Sequence, residues 1–220
     1  MDNISKTYSE EIDTGMSAND GVLSHRPSHN KDFCLVAEEL DLLSVKVDGC
    51  KKCELHNFRQ NAVFGEGNVQ SKIFLVGEAP GYNEDIQKRP FVGRSGKLLD
   101  QLIEEALGST RASLYIANVV KCRPPDNRTP QKLEINSCLG YLNKQIELVS
   151  PKVIIALGNT AFKALVDATE GVTQARLNLY SYRDIDVVPT FHPSAALRNG
   201  KRVVDMMRED LVKAGRLACL

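Results

Sequence analysis

No stretch of this chain is apolar for long enough to span a bilayer, and its charge has no sign: 28 Lys and Arg face 28 Asp and Glu over 220 residues. The first absence excludes a membrane-spanning helix. The second excludes a polybasic binder whose affinity comes from bulk charge, although a local basic face can coexist with a neutral total. The start, MDNISKTYSEEIDTG, lacks the basic-then-apolar order of a secretory signal, so a cytoplasmic location is expected. Six cysteines are too few for a disulfide scaffold, and a reducing compartment would leave them as thiols. Internal repeats and low-complexity tracts are also missing. What remains, at 42% hydrophobic and 25% charged residues, is the composition of a soluble globular protein with enough chain for a substantial core.

Residues 1–33 are polar and aperiodic and read as a flexible extension; residues 34–220 read as one domain. Apolar residues between Cys34 and Val47 suggest a short helix. Beyond it, short apolar runs alternate with amphipathic segments. Strands are expected at 72–76, 114–120, 153–157 and 186–191. Helices are expected at 95–107, 130–149, 159–166 and 200–217, with Pro130 suited to a first helical turn. The alternation predicts the α/β class, a single three-layer domain whose central, mostly parallel four-stranded sheet is flanked by helices. Ligands bind such folds beyond the carboxyl ends of the strands. Three of those ends carry unusual loops: GEAPGYNED, the segment from Asn118 to Pro130, and HPSAALR.

Each loop offers candidate chemistry. Gly77-Glu78-Ala79-Pro80-Gly81 puts a carboxylate between glycines that let a ligand approach the backbone. It lacks the lysine and spacing of a phosphate loop, and on this segment alone a tight turn with an exposed glutamate is preferred. Phe91 is either a core anchor or a platform for a planar base. Asn118 lies in an apolar strand, where its buried amide must find partners; its donor and acceptor match a nucleobase edge. The stretch Lys121-Cys122-Arg123-Pro124-Pro125-Asp126-Asn127-Arg128 holds cations on a stiff loop, suited to phosphate contact or simply solvated. His192, at a strand end, can donate to an oxygen that becomes negative in a transition state; Arg198, Lys201 and Arg202 follow it.

The cysteines have their own pattern. Cys50 and Cys53 form a C-x-x-C, with Cys122 and Cys138 far downstream. This spacing is that of neither a zinc ribbon nor a zinc finger, and four thiols without a histidine suit structural zinc and a [4Fe–4S] cluster equally. Cys34 and Cys219 read as free thiols.

Taken together, CKKCEL, GEAPGYNEDIQKRPFVGRSGKLLD, NVVKCRPPDNRTP, Cys138 and FHPSAALR resemble the family 4 uracil-DNA glycosylases, the iron–sulfur branch of the uracil-DNA glycosylase superfamily. The segments stand in family order from about Cys50 to Arg198. The resemblance implies removal of uracil from single- or double-stranded DNA by hydrolysis of its N-glycosidic bond, in base excision repair, by a monomer. It implies that Cys50, Cys53, Cys122 and Cys138 ligate a structural [4Fe–4S] cluster. It implies that Phe91 stacks on the flipped base, Asn118 reads its Watson–Crick edge, and His192 stabilises charge on the leaving uracil. Glu78 falls at an acidic position important for activity, by placing water or stabilising the sugar cation. The backbone at Glu78 and Ala79 is expected to meet uracil, with Glu84, Asn127 and Ser194 as further substrate-binding residues. Lys121, Arg123 and Arg128 are expected to meet DNA, with Leu197 or Arg198 as the wedge that fills the vacated stack. A branch that becomes trapped on its product carries a glutamine in the first motif and a basic insert; neither is present, so turnover is expected.

Two other classes compete. A damage-sensing module that binds without cleaving would not need Glu78. A zinc-stabilised hydrolase of free nucleotides would not need the basic loops or the wedge.

Overall fold

The computed structural model describes residues 33–220. The extension expected over residues 1–33 lies, apart from Phe33, outside the described residues. Helix α1 (Phe33–Asp48) leads into the C-x-x-C turn. Strands β1 (Glu66–Gly67) and β2 (Ile73–Gly77) follow, then helices α2 (Tyr82–Gln87) and α3 (Arg94–Leu107), strand β3 (Tyr115–Asn118) and helix α4 (Lys132–Val149). The second half runs β4 (Val153–Leu157), α5 (Asn159–Leu165), α6 (Val172–Ala175), β5 (Tyr180–Tyr182), β6 (Ile185–Thr190), α7 (Pro193–Asn199) and α8 (Lys201–Ala218).

The four expected strands form the parallel heart of the sheet, in the order β3-β2-β4-β6. Their side chains alternate between two covered faces. Phe74, Val76, Ile154 and Ala156 meet Leu40 of α1, Leu142 and Ile146 of α4 and Phe162 of α5. Ile73, Leu75, Val153 and Ile155 meet Leu99, Leu102 and Ile103 of α3 and Met207 and Leu211 of α8. Burial on both faces is why these strands read as unbroken apolar runs.

The sheet has six strands rather than four, because a short antiparallel strand closes each edge. Two-residue β1 is too short to carry a period. The β5–β6 hairpin turns at Arg183 and Asp184, both left-handed (φ 49° and 65°), without the Asn-Gly pair that usually marks such a turn. Two expected loops are also partly helical: GEAPGYNED runs into α2, and HPSAALR is mostly α7, with Pro193 in its first turn. Pro130 lies outside α4, which opens instead on a capping box between Gln131 and Glu134.

The chain leaves β2 for β3 on one side and returns to β4 on the other. That reversal opens a crevice at the carboxyl ends of β2 and β4, where α/β sheets bind ligands.

Candidate active site

Four strand ends converge on that crevice, a cleft of about 840 Å³. Glu78 and Ala79 follow β2, Asn118 ends β3, Gly158 to Thr160 follow β4, and Phe191, His192 and Ser194 follow β6; all line it. Glu84, Phe91, Asn127, Arg128 and Arg198 line it too. Every residue expected to bind substrate is therefore in one place.

Phe91 and Asn118 are seated by a missing side chain. A Cβ on Gly77 would fall 2.3 Å from Asn118 Oδ1 and 2.4 Å from Phe91 Cζ, so only glycine at the end of β2 lets both close in. Phe91 itself is left-handed (φ 53°), a costly conformation that its surroundings impose. Arg111 donates to the carbonyls of Pro90 and Phe91 at 2.6 and 2.9 Å. Glu84 Oε1 accepts from the N–H groups of Val92 and Gly93, both at 2.9 Å. That carboxylate lines the cleft but is committed to shaping the Phe91 loop. Its neighbour Asp85 accepts from the N–H groups of Gln60 and Asn61.

Asn118 is 2% exposed. Among the described residues its Oδ1 is the one buried side-chain oxygen or nitrogen without a hydrogen-bond partner. A buried acceptor left bare costs about 1–3 kcal/mol, so a native protein that keeps one holds it for a ligand or water. Phe91 and His192 line the same cleft, with ring centroids 5.8 Å apart.

His192 is both a cleft residue and the N-cap of α7. The Ser194 backbone N–H donates to its Nδ1 at 3.2 Å, and Ser194 Oγ lies 2.8 Å from the same nitrogen. A backbone N–H can only donate, so Nδ1 is the acceptor and the proton of the neutral ring sits on Nε2. Burial, helped by the charge of Arg198 and opposed by Glu84, pushes the imidazole pKa down to about 4. The ring is neutral at physiological pH and still presents one N–H.

The basic residues are sorted by the fold. Lys121 does not face solvent: it is 1% exposed, and its Nζ donates to the Asn118 carbonyl at 2.8 Å and to Gln145 Oε1. Burial pushes its pKa down to about 8. The expected DNA contact at Lys121 is thus corrected to an internal brace under Asn118. Arg128 lines the cleft but forms a two-bond pair with the Glu134 carboxylate at 2.6 and 2.9 Å. Arg123 stacks over the exposed ring of Tyr82, 5.0 Å from its centroid, and donates to Asn127 Oδ1. Leu197 and Arg198 are exposed on α7. Thr160, which sequence reasoning missed, donates its hydroxyl to Glu78 Oε2. The glycine directly after the third predicted strand was the available signal.

Cys50, Cys53, Cys122 and Cys138 line a second, small cavity with Arg59, His56 and Tyr141. Burial raises the Cys53 and Cys122 thiols and pushes Cys138 up to about 11, so thiolates here require a positive partner. Arg59 donates to Cys122 Sγ at 2.8 Å and to the carbonyls of Asp48 and Cys50; the Lys121 N–H donates to Cys138 Sγ at 3.3 Å. Among the described residues no three His, Cys, Asp or Glu side chains meet tightly enough to hold one metal ion. Four thiols gathered around one cavity are a donor set that fits a structural zinc ion or a polynuclear cluster.

The family model described as the Uracil DNA glycosylase superfamily matches residues 64–214. The chain is 48% identical over 171 residues to a type-4 uracil-DNA glycosylase of Saccharolobus solfataricus, covering 74% of this chain and 79% of that one. It is 44% identical over 189 residues to a protein of that name from Sulfurisphaera tokodaii, covering 82% and 86%. A third such protein, from Thermotoga maritima, is 46% identical over 180 residues, covering 80% and 93%. Among the described residues no helix is long and apolar enough to cross a membrane.

Proposed function

The chain belongs to the uracil DNA glycosylase superfamily, and from that membership we propose that it excises uracil from DNA, hydrolysing the N-glycosidic bond and leaving an abasic site. The observation that carries this reading is the buried, unpartnered Oδ1 of Asn118, in the cleft that Phe91 and His192 also line. Uracil presents an N3–H between two carbonyl oxygens. Its N3–H satisfies Oδ1, and the amide Nδ2 donates to O4. Cytosine offers a bare acceptor at N3 instead, and a site built to bond a missing hydrogen rejects such an analogue strongly.

The bond breaks between N1 of the base and C1′ of the sugar. The electron pair leaves with uracil, spreading onto O2, while the sugar becomes cationic and is captured by water. His192 Nε2–H donates to O2 as that charge grows, with no proton needed from solvent. Glu78, a carboxylate at the other end of the cleft, stabilises the sugar cation and takes up the proton of the attacking water. Phe91 stacks on the extruded base, whose removal from the helix costs a few kcal/mol.

Cys50, Cys53, Cys122 and Cys138 would hold a [4Fe–4S] cluster, whose part here is to tie segments together rather than to transfer electrons. Arg123, Arg128, Arg198 and Leu197 are the residues to meet DNA, with α7 carrying the wedge. Residues 34–220 make the glycosylase domain.

Incubation with a labelled uracil oligonucleotide, followed by alkali, tests the reading. Strand breaks are expected from single strands and from G·U duplexes; their absence from both refutes it. His192→Ala should lose most cleavage and keep DNA binding. Purified protein should be brown, and a colourless protein containing zinc would overturn the cluster.

A further inference from the structure

The turn after β4 meets both residues that the proposed reaction sets against developing charge, His192 and Glu78. Gly158 is left-handed (φ +90°) and so close to the histidine that an added Cβ would stand 3.0 Å from His192 Cβ. Its N–H donates to the Thr190 carbonyl at 2.8 Å, fixing the turn to the end of β6. Thr160, two residues on, lines the cleft and donates its hydroxyl to Glu78 Oε2, 82 residues away in sequence. Glu78 Oε1 accepts no hydrogen bond from any described residue.

We infer that Thr160 is a positioning residue for Glu78: its hydroxyl holds one carboxylate oxygen and turns the other toward the water or sugar. The inference rests on the excision reaction proposed above and adds to it the element that aims the carboxylate. A carboxylate on a flexible side chain at a cleft wall samples several rotamers, and a hydrogen bond to a charged partner is strong enough to select one. The Thr160 hydroxyl is spent on Glu78, so its loss should be felt in the chemical step and not in binding.

Thr160→Val keeps the branched shape and deletes the hydroxyl. With uracil-containing single-stranded DNA, kcat is expected to fall about 10-fold or more, with KM and the melting temperature unchanged. Thr160→Ser, which keeps the hydroxyl, should return most of the lost rate. In a Glu78→Gln background, Thr160→Val should cost clearly less than it does in the native protein, because its target is already gone. Unchanged kcat in Thr160→Val, a serine variant as slow as the valine one, or full additivity with Glu78→Gln would each overturn the inference. If the native protein itself releases no uracil, it is the proposed function that fails, and that control is read first.

Discussion

A histidine that stays neutral while buried leaves a thermodynamic trace, and His192 should show it. Its pKa is lowered from 6.5 to about 4 in the native fold. As pH falls below the unfolded value, the unfolded chain takes up a proton while the native ring does not. Native stability is therefore complete above that value and drains away as pH drops toward the folded one. The loss reaches about 2 kcal/mol near pH 5 and about 3 kcal/mol near pH 4. His192→Asn removes the titrating group and keeps a good N-cap for α7. Urea unfolding of both proteins at about pH 7.5 and at about pH 5 isolates the effect, because all other titrations are shared and cancel. The stability difference between them should move by about 2 kcal/mol in favour of the variant at the lower pH. Parallel pH curves would refute the reasoning. The ring would then titrate like an exposed imidazole, and the assignment of a neutral donor at Nε2 would go with it.

Asn118→Leu removes an acceptor that has no partner, so the melting temperature should hold or rise while excision falls about 100-fold or more; a large loss of stability would mean that Oδ1 is bonded after all. Gly77→Ala forces Cβ into Phe91 and Asn118 and should cost about 1–3 kcal/mol together with most of the excision rate, checked by melting and single-turnover assays. Lys121→Met strands two buried acceptors and should destabilise by at least about 2 kcal/mol. It should leave the salt dependence of DNA binding untouched, whereas Arg198→Ala should lower that slope by about one.

Much of this site was legible because its residues break local rules. Asn118 interrupts an apolar strand, Glu78 stands between glycines, and His192 ends a run of buried residues. Each exception falls at a strand end, so the parallel sheet brings them together once the strands are found. Lys121 was misread for the opposite reason. A lysine that opens the run Lys121-Cys122-Arg123 looks like part of a charged loop, and only the fold reveals that Gln145 and the Asn118 carbonyl wait for it inside. The partner of Arg128 was hidden in the same way, since Glu134 belongs to the next helix. Thr160 carries only a weak local signal, the glycine that follows the strand before it. Its role exists only because β4 lies beside β2, a neighbour relation that the chain order conceals. The edge strands were invisible because one is two residues long and the other turns without glycine or asparagine.

Helix α2 is six residues long, and two adjacent side chains on it grip opposite neighbours. Glu84 holds the amides of Val92 and Gly93; Asp85 holds those of Gln60 and Asn61. Residues 60 and 61 follow closely on Arg59, the residue that reaches Cys122, and Val92 and Gly93 follow Phe91. A short rod with a hand on each side behaves as a coupling link: slack in the cysteine lobe becomes slack in the wall against which the base is pressed. The two regions should loosen together, so that opening the thiol cavity also slackens the wall against which the base is pressed.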